Sequence, residues 1–140
     1  MVNLFAIHGI LQVITFAVLF PLGILIAIFR ERVGENWFKL HVGIQITGSL
    51  TLLSALIAIH IAKKQKQKED NDSITHLPAH VIVGRIVVIL VILQLIWAIA
   101  FRHIIPRPIW FAIHMVLATG IITVGWTNLY LGYRHYKNLD

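Results

Sequence analysis

The chain of 140 residues is 58% hydrophobic and only 13% charged, with a formal net charge of +6 and no cysteine. Soluble domains carry about 25% charged residues, so these proportions exclude an ordinary soluble enzyme. The positive charge does not point to nucleic acid, because the basic residues fall in short segments between apolar runs, where they face lipid headgroups and water. The lack of cysteine rules out a disulfide framework, a thiolate metal site and Cys-x-x-Cys-His haem attachment.

Four apolar stretches each reach the ~20 residues that a spanning helix needs. The first covers about 4–29 and ends at the Arg30-Glu31-Arg32 cluster and Gly34. Met-Val-Asn-Leu-Phe at its start lacks the basic region of a signal peptide, and the apolar run is too long for one, so it reads as a retained span. Pro21 lies inside it and predicts a kink near Pro21-Leu22-Gly23, because a carbonyl one turn back loses its donor. The second helix covers about 36–62 and stops at Lys63-Lys64-Gln65-Lys66. A polar loop follows over about 63–77, charged and without apolar period. The third covers about 78–101, with Pro78 in its first turn. Arg102 to Pro108, with two prolines, makes a turn, and the fourth covers about 109–133. Trp37, Phe38, Trp110, Phe111, Tyr130, Tyr133 and Tyr136 collect at helix ends, as an interfacial belt requires. Short connections make sequential helices antiparallel. The expected fold is all-α, a transmembrane up-down-up-down four-helix bundle forming a single membrane domain over 1–140 in contact with lipid.

One face of such a bundle holds Lys63, Lys64, Lys66, Lys68, Arg134 and Lys137; the other holds Arg30, Arg32, Lys39, Arg102 and Arg107. This near balance of basic residues scarcely orients the chain by the positive-inside rule.

Each span carries one histidine near its start: His8, His41, His80 and His114. Antiparallel threading puts His8 level with His80 near one face and His41 level with His114 near the other. Two level pairs on alternate helices are what two stacked bis-histidine haems require, with irons roughly 20–25 Å apart along the bundle. Positions seven, eleven and eighteen residues along share a helix face. From His114 this stripe reaches Gly125 and Gly132, with Ala118 close by; from His41 it includes Gln45, Gly48 and Ala55; from His80 it includes Gly84, Gln94 and Ala98. Small residues let a flat macrocycle approach a backbone, and they equally suit close helix packing. Ionisable side chains inside a membrane are costly and mark functional positions. His60 lies ~100° round from the His41 face and reads as interfacial. His76, His103 and His135 read as solvated; His76 and His80 are four apart, so either could ligate, but His80 is better placed within the span. Met115 faces away from His114.

These residues resemble the four-helix core of the cytochrome b561 family. His8-Gly9 followed by Pro21-Leu22-Gly23 is similar to the family's first core helix. Trp37-x-x-x-His41-x-x-x-Gln45-x-x-Gly48 is similar to the second, His80-x-x-x-Gly84 with Gln94 to the third, and Arg107, Trp110, His114, Gly125, Asn128 and Gly132 to the last. Ala118 stands where many relatives have glycine, and Gln12 where an apolar residue is common. The resemblance implies two haem b groups, with His8 and His80 as the axial ligands of one iron and His41 and His114 of the other. It also implies transmembrane electron transfer, often from ascorbate, between a small-molecule or protein donor and acceptor. A homodimer or a place in a larger complex is implied as well. Arg30, Arg32 and Lys39 are candidates for holding an anionic donor, since cations at a membrane face attract carboxylates and enolates, and they equally suit headgroup contact. Electron carriage is the expected function. The alternatives are a haem-free structural subunit, whose histidines merely pack or hydrogen-bond, and a quinone-coupled redox subunit of a membrane complex.

Overall fold

The computed structural model describes residues 3–70 and 78–137, with residues 68–70 as backbone only. All regular structure among them is helical: α1 (Leu4–Val13), a π-helical stretch Ile14–Leu19, α2 (Phe20–Ile28), α3 (Arg30–Val33), α4 (Trp37–Asp70), α5 (Ala79–Ala100) and α6 (Arg107–Lys137). Four helical segments are long and apolar enough to cross a membrane: Leu4–Ile28, Trp37–Gln67, Ala79–Ala100 and Arg107–Lys137. At most 28% of any of these apolar windows is buried. Most of their surface is therefore left to an apolar solvent, as lipid provides.

By their internal contacts the residues group into two compact units, Met1–Thr75 and His76–Asp140. Each is an antiparallel helical hairpin, because short connections bring sequential helices together.

In the first hairpin, the Asn3 side chain starts α1 by accepting from Ala6 N–H at 3.1 Å, which satisfies one of the open donors of a first turn. The disturbance expected from Pro21 appears one turn earlier than Leu22-Gly23, as the π-helical stretch. Phe20 N–H there donates to the Thr15 carbonyl, five residues back. Pro21 has no N–H to offer Ala17, and the wider turn absorbs the mismatch by inserting one residue. The first span ends at Ile28, one residue short of the expected Phe29, and α3 adds a single turn. Gly34 then reverses the chain at φ +82°, a left-handed conformation that glycine adopts without steric cost.

Helix α4 extends well past the expected end at Ala62. Residues 63–70, expected in a loop, are helical. Lys and Gln are good helix formers, and a helix of this length, about 50 Å at 1.5 Å per residue, outruns the hydrocarbon. Its last turns can therefore lie in water, where 63–67 are exposed. Residues 71–77, the rest of that expected loop, lie outside the described residues. Within α4, the hydroxyls of Thr47, Ser49, Thr51 and Ser54 each donate to the carbonyl four residues back, so none carries an open donor into lipid.

Phe16 and Phe20 pack edge to face at 5.3 Å and are buried with Leu52, Ala55, Ala58 and Ala62. Gly48, Ala55 and Ala62 recur every seven residues, so one small-residue stripe runs along α4 and admits the facing helix closely. The tightest point is Gly48, where an added Cβ meets the Phe20 ring at 2.6 Å. Gly48→Ala is expected to destabilise the protein by about 1–3 kcal/mol, read as a lowered Tm in detergent micelles. Gly43→Ala, which meets nothing within 4 Å, is the control expected to leave Tm unchanged.

In the second hairpin, Pro78 is the residue before α5, and its carbonyl accepts from Val81 N–H and Ile82 N–H. Pro108 lies in the first turn of α6, where its missing N–H costs nothing. Val87 and Val91 of α5 are buried, as are Ile121, Gly125 and Asn128 of α6. Near the turn, Trp97 Nε1–H donates to the Trp110 carbonyl at 3.0 Å and Trp110 Nε1–H to the Trp97 carbonyl at 3.1 Å. This reciprocal clasp closes the hairpin.

Candidate functional site

The four histidines of the candidate spans are all half-buried, and each is engaged by the antiparallel neighbour in its own hairpin. His8 Nδ1–H donates to the Ala55 carbonyl at 2.9 Å. His41 Nδ1–H donates to the Gly23 carbonyl at 2.7 Å. His80 Nδ1–H donates to the Asn128 carbonyl at 3.1 Å. A carbonyl can only accept, so each of these three rings carries a proton on Nδ1.

His114 departs from this pattern. Its neighbour is a side chain: Gln94 Nε2 lies 3.1 Å from His114 Nδ1, 3.4 Å from its Nε2 and 3.2 Å from its carbonyl. The Trp110 ring stacks on the imidazole at 4.9 Å and 13°.

The spacing behind these contacts is regular. Ala55 follows His41 by fourteen residues, Gln94 follows His80 by fourteen and Asn128 follows His114 by fourteen. Two heptads return to the same helix face, so in an antiparallel pair the histidine of one helix meets the +14 position of the other. Gly23 follows His8 by fifteen, and the one-residue insertion of the π-helical stretch between them restores the register. Each hairpin thus holds one imidazole toward each end, with the two sites about 21 Å apart at 1.5 Å per residue.

Two glycines matter for close approach. An added Cβ at Gly132 lies 2.8 Å from His80 Cε1 and 3.0 Å from its Nδ1; at Gly84 it lies 3.2 Å from Asn128 Nδ2. Gly132 therefore makes the room in which the His80 ring sits. Among the described residues, no three His, Asp or Glu side chains come together to hold a bare metal ion. An iron in a porphyrin takes only two ligands from the protein, and a Nδ1–H anchored on a carbonyl is the outer-shell contact that orients such a ligand and raises its basicity.

The other singled-out residues separate clearly. Arg30 and Arg32 on α3 and Lys39 at the start of α4 are exposed at the His41 end of the first hairpin, with the Arg32 guanidinium 5.6 Å from the Phe29 ring centre. His60 and His103 are exposed. His135, expected to be solvated, is exposed in the last turn of α6 and lines an open cleft of about 200 Å³ with His80 and Arg134. His76 lies outside the described residues. Sequence reasoning placed Ala55 and Gln94 on the histidine faces as packing positions. It missed that the +14 position supplies the hydrogen-bond partner, although the His-to-+14 spacing was there to be counted.

A family model described as a domain of unknown function (DUF2427) matches residues 1–104. No curated protein and no solved structure matches the chain.

Proposed function

The chain belongs to the DUF2427 family, and we propose that it carries electrons across a membrane through two b-type haems held by His8, His41, His80 and His114. The observation that carries this reading is the anchoring of three of these imidazoles by Nδ1–H on a neighbour's carbonyl. That contact selects the tautomer whose Nε2 can bind iron and fixes the ring plane. A haem iron held by two imidazoles supplies one-electron transfer between ferric and ferrous states, without an open position for substrate. The chain's own contribution is to hold the rings near each end of each hairpin, and to surround them with apolar side chains that exclude water. The sequence resemblance to the cytochrome b561 core supports the same reading. It also suggests a small anionic reductant such as ascorbate, for which exposed Arg30, Arg32 and Lys39 offer positive charge near His41.

A second reading has support from the same bonds: in a haem-free or quinone-coupled subunit they would staple helix to helix. An interhelical hydrogen bond in a membrane contributes about 0.6 kcal/mol on average, a small stabilisation for bringing four polar rings into lipid. The haem reading accounts for the rings and for their tautomer together. Purified protein is expected to show a sharp reduced α-band and two haems per chain by pyridine haemochrome assay. A colourless preparation from haem-replete cells defeats the proposal and leaves the stapling reading. Reduction in proteoliposomes by quinol but not by ascorbate would assign the chain to the quinone-coupled class.

A further inference from the structure

Residues 78–137, the second hairpin, include Arg85, Arg102, Arg107, Arg134 and Lys137 and no Asp or Glu. These cations have no carboxylate in their own hairpin to pair with, so the anions that offset them come from outside it. Three of them, Arg85, Arg134 and Lys137, belong to the end where α5 begins and α6 finishes. We propose that this end binds an anionic phospholipid, its phosphate seated in the cleft by Arg134 and His135 and met from the membrane side by Arg85. The site goes beyond the electron-transfer reading and does not depend on it.

The cleft is lined by Pro78, Ala79 and His80 on one side and by Leu131, Arg134 and His135 of α6 on the other. The Arg134 guanidinium lies 6.0 Å from the Tyr130 ring centre and the Lys137 ammonium 5.8 Å from that of Tyr133. Tyr130, Tyr133 and Tyr136 are themselves exposed, and tyrosines at a helix end sit at the headgroup level of a bilayer. That sets the depth of the cleft.

Arg85 is an independent observation. It is exposed and stands six residues inside the Ala79–Ala100 span, about 9 Å from its start. A charge facing lipid at that depth is costly without an anion. A carboxylate on another spanning helix and a lipid phosphate are the two candidates, and depth decides between them. Helical side chains tilt toward the helix N-terminus, here the nearer membrane face, and the apolar arginine stem covers most of that distance. The guanidinium thus emerges at phosphate level, whereas a partner's carboxylate within the hydrocarbon would carry its own cost. Pro78 precedes Arg85 by seven residues, so the two share a helix face, and Arg85 comes up beneath the lip that Pro78 gives the cleft. A guanidinium holds a phosphate through two parallel hydrogen bonds. The phosphatidylglycerol headgroup brings no cation of its own, whereas the choline of a zwitterionic lipid meets Arg134 and Lys137 with like charge.

Native mass spectrometry of the full chain tests this, with the protein released from micelles holding equal amounts of phosphatidylglycerol and phosphatidylcholine of matched acyl chains. One retained phosphatidylglycerol per chain is expected, favoured about twentyfold over phosphatidylcholine, because each of two cations contributes roughly fivefold. Arg134→Gln and Arg85→Gln are each expected to lower the retained fraction about fivefold. Arg107→Gln removes the same charge at the opposite end of α6 and is expected to leave it unchanged. Equal loss in all three variants would show attraction to net charge alone, and no preference for phosphatidylglycerol would show no site; either overturns the proposal. Arg85→Lys keeps the charge and the long stem and is expected to retain the lipid. A loss there as large as in Arg85→Gln would mark damage to the fold, and Arg85 would be struck from the site. Displacement of the lipid by inorganic phosphate, with ionic strength matched by sodium chloride, would reassign the cleft to a soluble anion and also overturns the proposal. The same retention is expected in haem-free and haem-loaded protein, so a colourless preparation defeats the proposed function and leaves this site standing.

Discussion

Replacing His80 with alanine is expected to halve the haem content, from two per chain to one, without unfolding the protein. Both axial positions of a bis-histidine iron are needed to hold it in a hydrophobic site, and α5 (Ala79–Ala100) contains no second histidine to take over from His80. The same loss is expected from His8→Ala, His41→Ala and His114→Ala taken singly. Double variants then read the pairing implied by the sequence. Under the pairing that the resemblance implies, His8→Ala with His80→Ala is expected to retain one haem, whereas His8→Ala with His41→Ala is expected to retain none. One haem surviving in the second double variant would show that the ligands are paired otherwise. Retention of both haems in the single variants would remove these histidines from the iron altogether. A ligand role is further separated from a packing role by His80→Gly, where added imidazole is expected to restore the missing α-band amplitude by filling the vacated position. A helix staple broken in the same variant gives no such recovery.

What could be read from the sequence and what could not divide along a physical line. Runs of apolar side chains announce spanning helices because the bilayer demands ~20 of them in succession, so the four helices and the histidine in each were legible. The stop before the Arg30 cluster followed from the cost of charge in lipid. The end of α4 was not legible: Lys63 to Lys68 look like a loop when only hydropathy is weighed, yet these residues favour a helix once it has left the hydrocarbon. The carbonyl partners of His8, His41 and His80 left still less trace, because every residue has a carbonyl and Ala55 or Gly23 advertises nothing beyond its small size. Only the fourteen-residue spacing betrays them, and in the first hairpin even that is disguised. Gly23 stands fifteen residues from His8, and nothing short of the π-helical insertion ahead of Pro21 brings it into register. Gln94 was visible as a polar residue on the histidine face, but its attachment to His114 depends on the pairing of α5 with α6, which its side-chain type alone does not specify.

Gly132→Ala is expected to cost the protein its His80 centre as surely as removal of the histidine, although glycine 132 has no side chain to bind anything. The added Cβ would stand 2.8 Å from His80 Cε1, 3.0 Å from Nδ1 and 3.5 Å from Nε2. It therefore presses on the whole Cε1 edge of the ring, not on the end of a flexible chain. The ring must give way by several tenths of an ångström. Its anchor on the Asn128 carbonyl is already 3.1 Å long, near the outer part of the useful range for such a bond, so the displacement breaks the contact that sets the tautomer. Overpacking of this kind costs about 1–3 kcal/mol, enough to be read in Tm as well as in haem content. Two companion glycines calibrate the effect. Gly84→Ala meets Asn128 Nδ2 at 3.2 Å, the end of a side chain that can rotate aside, and is expected to keep both haems with a small shift in the His80 centre. Gly9→Ala, adjacent to His8 in sequence, meets nothing within 4 Å and is expected to change neither. The ranking Gly132 far above Gly84, and Gly84 above Gly9, follows from steric contact with the imidazole and its anchor, whereas helix propensity alone would favour alanine at all three. Two intact haems with unshifted potentials in Gly132→Ala would mean that the His80 ring does not lie against α6, and the anchoring of that ligand would have to be abandoned.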